Sequence, residues 1–275
     1  MSYMGFIPTQ IEKTKIFQAV ASGTRIDGRK LNEFRKIKIL TDYIGKAEGS
    51  AYVELGDTKV VVGVKISIGP PFPDTPDEGL FVVNAEFVPT ASPFFEPGPP
   101  DENSIELARV VDRGIRHANV IDTKKLCIIP GEKVYTVFAD IYVIDHAGNL
   151  FDASTLAVVS ALLTTKIPKV EVKEGGSVEI LEEKFPLPVN NKVVSLTWAK
   201  IGNILVLDPN FEEENIMDAR FTVSIDENGY IVSIQKGNPG YLTLDDIRYS
   251  IEESLKISKE LFKLFPGGHS NDKED

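Results

Sequence analysis

Arg25-Ile26-Asp27-Gly28-Arg29 and, further on, Gly49-Ser50-Ala51-Tyr52-Val53-Glu54-Leu55-Gly56-Asp57-Thr58-Lys59-Val60-Val61-Val62 are the stretches that decide the fold. The longer one reads as two β-runs folded about Gly56-Asp57-Thr58. Val53, Leu55, Val60 and Val62 are its apolar β-formers, and Gly-Asp is turn chemistry between them. The shorter one reads as an Asp-Gly turn flanked by arginines that pair with carboxylates, with RNA contact as the competing role.

Around these stretches, strand-like and helix-like runs alternate. Residues 9–20 predict a short amphipathic helix, and strands are expected over 34–42, 49–55, 59–68, Leu80–Pro89 and Val134–Asp145. Two proline-rich loops separate them, Gly69–Gly79 and Ser92–Pro100. Asp101–Asn119 places Leu107, Ala108, Val111, Ile115 and Ala118 on one helical side, and Ala153–Ile167 is apolar nearly all round, as a buried helix is. Residues 171–186 change character, with five glutamates and Gly175-Gly176, and a domain boundary is expected there. Short strands follow near 193–198, 203–208, 220–225 and 230–236, then a helix from Thr243 or Asp245 with Ile247, Ile251, Leu255 and Leu261 on its apolar side. The pattern predicts an α/β (α+β layered) protein. Its expected parts are an N-terminal helical extension (1–32), a first domain (33–180), a second domain (186–265) and a disordered tail (266–275).

The 275 residues are 42% hydrophobic and 26% charged, ordinary for a soluble globular protein, and no run approaches the roughly 18 apolar residues of a membrane span. Cys127, the single cysteine, reads as a buried reduced thiol, which favours a reducing cytoplasm. His117 and His146 lack a second ligand at metal spacing, and no phosphate-loop or dinucleotide pattern occurs, so no cofactor is expected. A net charge of −11 argues against a free-standing nucleic-acid binder, because such affinity comes mainly from Lys and Arg replacing phosphate counterions. RNA contact then needs a local basic patch or a basic partner.

Together, the two opening stretches, Pro97-Gly98-Pro99 before Ser104-Ile105-Glu106-Leu107, the run Phe151–Leu162, and Leu207-Asp208-Pro209 before Glu212-Glu213-Glu214 resemble the RNase PH family of phosphate-dependent RNA exonucleases. The resemblance implies the RNase PH fold, two βα subdomains with mixed sheets and packed helices. Active members cleave RNA from the 3′ end with phosphate, which needs positive charge around the attacking anion. Where such members carry an arginine pair, this chain has Glu102 and Asn103. Where they carry Gly-Ser/Thr-Arg, it has Gly148-Asn149-Leu150. Where they carry two aspartates, it has Glu214 and Arg220, with Asp218 as an out-of-register substitute.

This pattern is similar to the larger, non-catalytic RNase PH-like subunit of archaeal exosomes. The likeness implies a catalytic RNase PH-like partner, a heterodimer assembling as a trimer of dimers, RNA-binding cap subunits, single-stranded RNA and a cytoplasmic location. Arg109, Arg113 and Arg116 recur within about 60° of helical arc, and Arg113 and Arg116 are the expected RNA-binding residues. Pairing of Asp112 with Arg116 or Arg109 on a solvated face is the bland alternative. The competing functions are an active phosphorolytic exoribonuclease and an architectural ring protein without RNA contact.

Overall fold

A computed structural model describes residues 8–173 and 175–266; from 267 onward the expected disordered tail lies outside the described residues. In chain order the first half contains α1 (Gln10–Ala21), β1 (Ile37–Thr41), β2 (Gly49–Leu55), β3 (Thr58–Gly69), β4 (Leu80–Phe87), α2 (Glu102–His117), β5 (Cys127–Ile129), β6 (Lys133–Asp145) and α3 (Leu150–Thr164). Then follow β7 (Lys166–Val172), β8 (Val178–Pro186), β9 (Val193–Ile201), β10 (Ile204–Leu207), α4 (Phe211–Glu214), β11 (Ala219–Asp226), β12 (Ile231–Gly237) and α5 (Leu244–Phe262).

The β2–β3 hairpin turns at Gly56, where φ is +56°, with Leu55 paired to Thr58. It is the centre of a mixed sheet ordered β1-β2-β3-β6-β4, in which β4 runs parallel to β6 and β5 pairs on the β6 end. A second sheet, β10-β9-β11-β12, is antiparallel throughout. Helix α3 packs on β2 and β3 with one side and on β9 with another, so it lies between the sheets; α5 packs on β9 and β11.

Burial follows from these layers. Every residue of β9 and β11 is buried, as expected for strands covered on both faces. In β3 buried Val60, Val62 and Val64 alternate with more exposed neighbours, because helices cover only one face of the first sheet. Leu150 through Leu162 of α3 are all buried, and each large aliphatic side chain there contributes roughly 1.5–3 kcal/mol.

Four features differ from the expectations. Helix α3 starts at Leu150 rather than Ala153, because Asn149 caps it, and it ends before β7 begins at Lys166. The segment 171–186, where no strand was expected, lies in an antiparallel ribbon of β7 and β8 with the pairs Val170–Ile180 and Val172–Val178. Cys127 is only half-buried, since β5 is a short strand paired on one side. The acidic Phe211–Glu214 forms a helical turn with an Asn210–Glu213 capping box.

Candidate nucleic-acid interface

Helix α2 opens on acids. The Asp101 carboxylate accepts the Ser104 N–H at 2.8 Å, and the Ser104 hydroxyl donates to the Asp101 carbonyl at 2.9 Å. Glu102 and Asn103 occupy its first turn, where carboxylates complement the helix dipole. An incoming phosphate meets negative charge there.

The start of α3 is filled by the chain's own carboxylates. Asn149 adopts left-handed φ 53°. Its backbone N–H donates to Glu214 Oε1 at 2.8 Å, and its side-chain amide donates to Asp152 at 2.8 Å and Asp208 at 2.7 Å. Gly148 makes the approach feasible: φ is +97°, and a Cβ would sit 2.4 Å from the Asn210 carbonyl carbon. Helix α4 sets Glu213 and Glu214 side by side beneath this turn.

Three guanidiniums close round these acids. Arg35 donates to both Asp208 oxygens, at 2.8 and 2.9 Å, and to the carbonyls of Ala147 and Gly148. Arg29 donates to Asp208 at 2.9 Å and also holds Asp27. Arg25, buried, pairs with Glu213 and donates to the carbonyls of Leu207 and Asp208. The opening Arg25–Arg29 motif is therefore an internal clamp between the N-terminal turn and the β10–α4 loop.

Titration follows this geometry. Burial alone pushes Asp208 up, yet the hydrogen bonds and charges of Arg35 and the charge of Arg29 hold it below the usual carboxylate range. Burial raises Glu214, only partly offset by the Asn149 N–H. Asp152, also buried, is pushed up to about 7, although Asn149 and Thr197 hydrogen-bond it, because the Asp208 charge adds to desolvation.

The arginines of α2 have a different setting. Arg113 donates to Gln235 of β12 at 2.7 Å, and its Nε is buried with no hydrogen-bond partner among the described residues. Arg116 pairs with Asp112 at 2.8 Å and donates to the Phe81 carbonyl at 2.9 Å. Arg109 is exposed and has no ion pair among the described residues. All three line a cleft of about 500 Å³ between α2 and β4. The bland alternative of a solvated, paired stripe is met only in part: the Asp112–Arg116 pair exists, but Arg113 is half-buried.

Two family models match the chain, the 3′ exoribonuclease family domain 1 over residues 33–168 and domain 2 over residues 191–257. The chain belongs to the RNase PH family. Among relatives, it is 51% identical to exosome complex component Rrp42 of Thermococcus gammatolerans, over 92% of this chain and 93% of that one. It is likewise 51% identical to exosome complex component Rrp42 of Methanothermobacter thermautotrophicus, over 94% and 96%. A chain in a solved Archaeoglobus fulgidus exosome with RNA bound to the active site is 46% identical, with TM-score 0.86, coverage being 92% of this chain and 97% of that one.

Within the RNase PH fold, the sequence-selected positions fall in two groups. Asn149, Asp208 and Glu214 come together at the start of α3, and Leu150 is the first residue of that helix, its side chain fully buried. Arg220 lies apart, buried, paired with Glu106 and set 4.2 Å from the Phe151 ring centroid. Asp218 accepts the Gly202 N–H at 2.7 Å, which is a turn-fixing role. Sequence reasoning missed the Asn149–Glu214 bond, whose partners stand 65 residues apart. The acidic run after Asn210, with its capping-box spacing, was the one signal that pointed to it.

Proposed function

We propose that the chain is a non-catalytic RNase PH-like subunit of an archaeal-type exosome, a 3′-to-5′ RNA-degrading complex. It pairs with a catalytic RNase PH-like subunit as a heterodimer, three of which close a hexameric ring. In that ring it structures the partner's active site, carries RNA-binding cap subunits, and holds single-stranded RNA through Arg113 and Arg116. Its setting is the cytoplasm. Residues 33–180 and 186–265 act as the two RNase PH-like domains, with 1–32 as an extension.

One observation carries the inactive reading: the Glu214 carboxylate sits on the Asn149 N–H at the start of α3, beside Asp152 and Asp208. Phosphorolysis needs an anion bound among unpaired cations. Here Arg25, Arg29 and Arg35 are already matched by Glu213, Asp208 and Asp27, and the start of α2 adds Glu102. The relatives named above are exosome components, which supports the assembly reading.

Incubating the purified chain with single-stranded RNA and inorganic phosphate tests both halves. The chain alone releases no nucleoside diphosphates; mixed with its catalytic partner, it forms a ring of six subunits that does. Release by the chain alone, with rate proportional to its concentration, establishes an enzyme instead. Failure of the mixture to assemble refutes the subunit role.

A further inference from the structure

The one hydrogen bond that Arg113 makes among the described residues leads into the second sheet. Its Nη2 donates to Gln235 Oε1 of β12 at 2.7 Å. The Gln235 amide is engaged at its other end as well, where Nε2 donates to Glu106 Oε1 at 3.4 Å. Glu106 in turn pairs with Arg220 of β11. The Arg220 guanidinium has little room to move: it is buried, lies over the Phe151 ring, and presses on Gly237, where a Cβ would stand 2.5 Å from Nη2. Four side chains from α2, β11 and β12 therefore form one run of donors and acceptors. It starts at a locked cation and ends at Arg113, which is only half-buried.

The sequence spacing prepares this run. Glu106 and Arg113 stand seven residues apart on α2, so they share a side of the helix two turns apart. Gln235, opposite Thr222 of β11 in the register, spans the gap between them. A side-chain amide suits this place because it is neutral and has both an acceptor and donors. Its neighbours set its orientation. With the amide turned over, its NH₂ would face the guanidinium and its oxygen the carboxylate, and both bonds would be lost.

Arg116 gives the contrast. It too is held in place, but by the Asp112 carboxylate, which offsets its charge. Gln235 holds Arg113 without a charge of its own, so the guanidinium is fixed in direction while its charge stays unmatched. A cation fixed beforehand loses less side-chain freedom when an anion arrives.

Resting on the RNA-binding reading above, we infer that Gln235 is a positioning residue for RNA. It aims Arg113 and leaves its charge intact, while Glu106, locked by Arg220, keeps the Gln235 amide turned the right way.

A labelled single-stranded oligoribonucleotide, titrated at several salt concentrations into the chain assembled with its catalytic partner, tests this. Gln235→Leu removes both amide bonds and weakens binding roughly threefold with an unchanged salt slope, because the Arg113 charge is still present. Gln235→Glu, nearly the same shape, pairs with Arg113; it weakens binding and lowers the salt slope by about 0.7. In an Arg113→Ala background neither substitution has a further effect on RNA. Losses of equal size with and without Arg113 assign Gln235 to fold stability alone and overturn the positioning role. If Arg113→Ala weakens binding and both Gln235 variants bind like the wild type, the positioning role fails and the RNA-binding reading stands. If Arg113→Ala binds RNA like the wild type, the RNA role of Arg113 fails, and the positioning role with it.

Discussion

Two groups of three arginines set the terms of this molecule. Arg25, Arg29 and Arg35 converge on Asp208 and Glu213, and Arg25 lies in a site fully closed to solvent. Arg109, Arg113 and Arg116 line an open cleft that contains one carboxylate. The same guanidinium chemistry serves as a clamp in one region and, on the function proposed above, as a docking surface in the other. What separates them is whether the chain supplies a matching anion from within. Around the first group it supplies Asp208, Glu213, Glu214 and Asp152, and there the fold closes. Around the second it supplies Asp112 alone, which leaves positive charge facing outward.

The comparison breaks most visibly if the clamp is opened. Glu213→Ala removes the acidic partner of a fully buried guanidinium and one arm of the α4 capping box. Arg25 keeps its bonds to the Leu207 and Asp208 carbonyls, so the loss is expected at the lower end of the buried-pair range, about 3 kcal/mol. Urea unfolding measures it. A loss below about 1 kcal/mol would show that the clamp is no structural centre.

Asp152 gives the next largest effect, with a sign that can be checked. Its carboxyl is raised from 3.8 to about 7 in the folded chain, so the folded state holds a proton that the unfolded state releases. Its contribution to stability is therefore greatest at low pH and declines as pH rises through the interval between those values. Asp152→Asn abolishes that decline. The variant's deficit relative to the wild type is expected to shrink by on the order of 2 kcal/mol between about pH 5 and about pH 8. A deficit that is constant across this range would mean that Asp152 is ionised throughout.

The second arginine group sharpens the comparison from the other side. Arg113→Ala with Arg116→Ala is expected to weaken single-stranded RNA binding roughly tenfold and to reduce the salt slope by about 0.7 for each phosphate that is no longer neutralised. Stability should change by no more than about 1 kcal/mol, because Arg116 and Asp112 are a partly exposed i, i+4 pair. RNA titrations at several salt concentrations and a melting curve report the two quantities separately. Unchanged RNA affinity with a large loss of stability would reverse the contrast.

How much of this was legible depended on the range of the interactions. Helix α2 and strands β3 and β6 announce themselves because their apolar periodicity is long and local. The ribbon of β7 and β8 did not, since its strands alternate charges with valines between Pro168 and Pro186. Its cross-strand pairs, Lys169 with Glu183 among them, exist only once the chain has folded back. Glu102, Asn103 and Leu150 were readable as missing cations only through the family resemblance, which supplies the arginines they replace; the sequence pattern by itself put the start of α3 at Ala153, three residues beyond Leu150. That Glu214 takes the Asn149 N–H was not readable, because a hydrogen bond across 65 residues leaves no local signature. Arg25 and Arg29 were readable only as a choice between carboxylate and RNA, and burial resolved it.

The smallest expected effect probes the one carboxylate in the open cleft. Asp112 holds Arg116 at 2.8 Å, and it also places negative charge where phosphate would approach. Asp112→Asn removes that repulsion and releases Arg116 from its ion pair, while the Phe81 carbonyl still holds one of its nitrogens at 2.9 Å. Both changes act in the same direction, so RNA binding should tighten about two- to threefold with a steeper salt dependence. Stability should move by no more than about 0.5 kcal/mol, since the pair is partly solvated. The sign is the informative part. Weaker binding in Asp112→Asn would mean that the carboxylate orients Arg116 toward the RNA instead of competing for it, and the cleft would then share the clamp's logic of arginines positioned by acids.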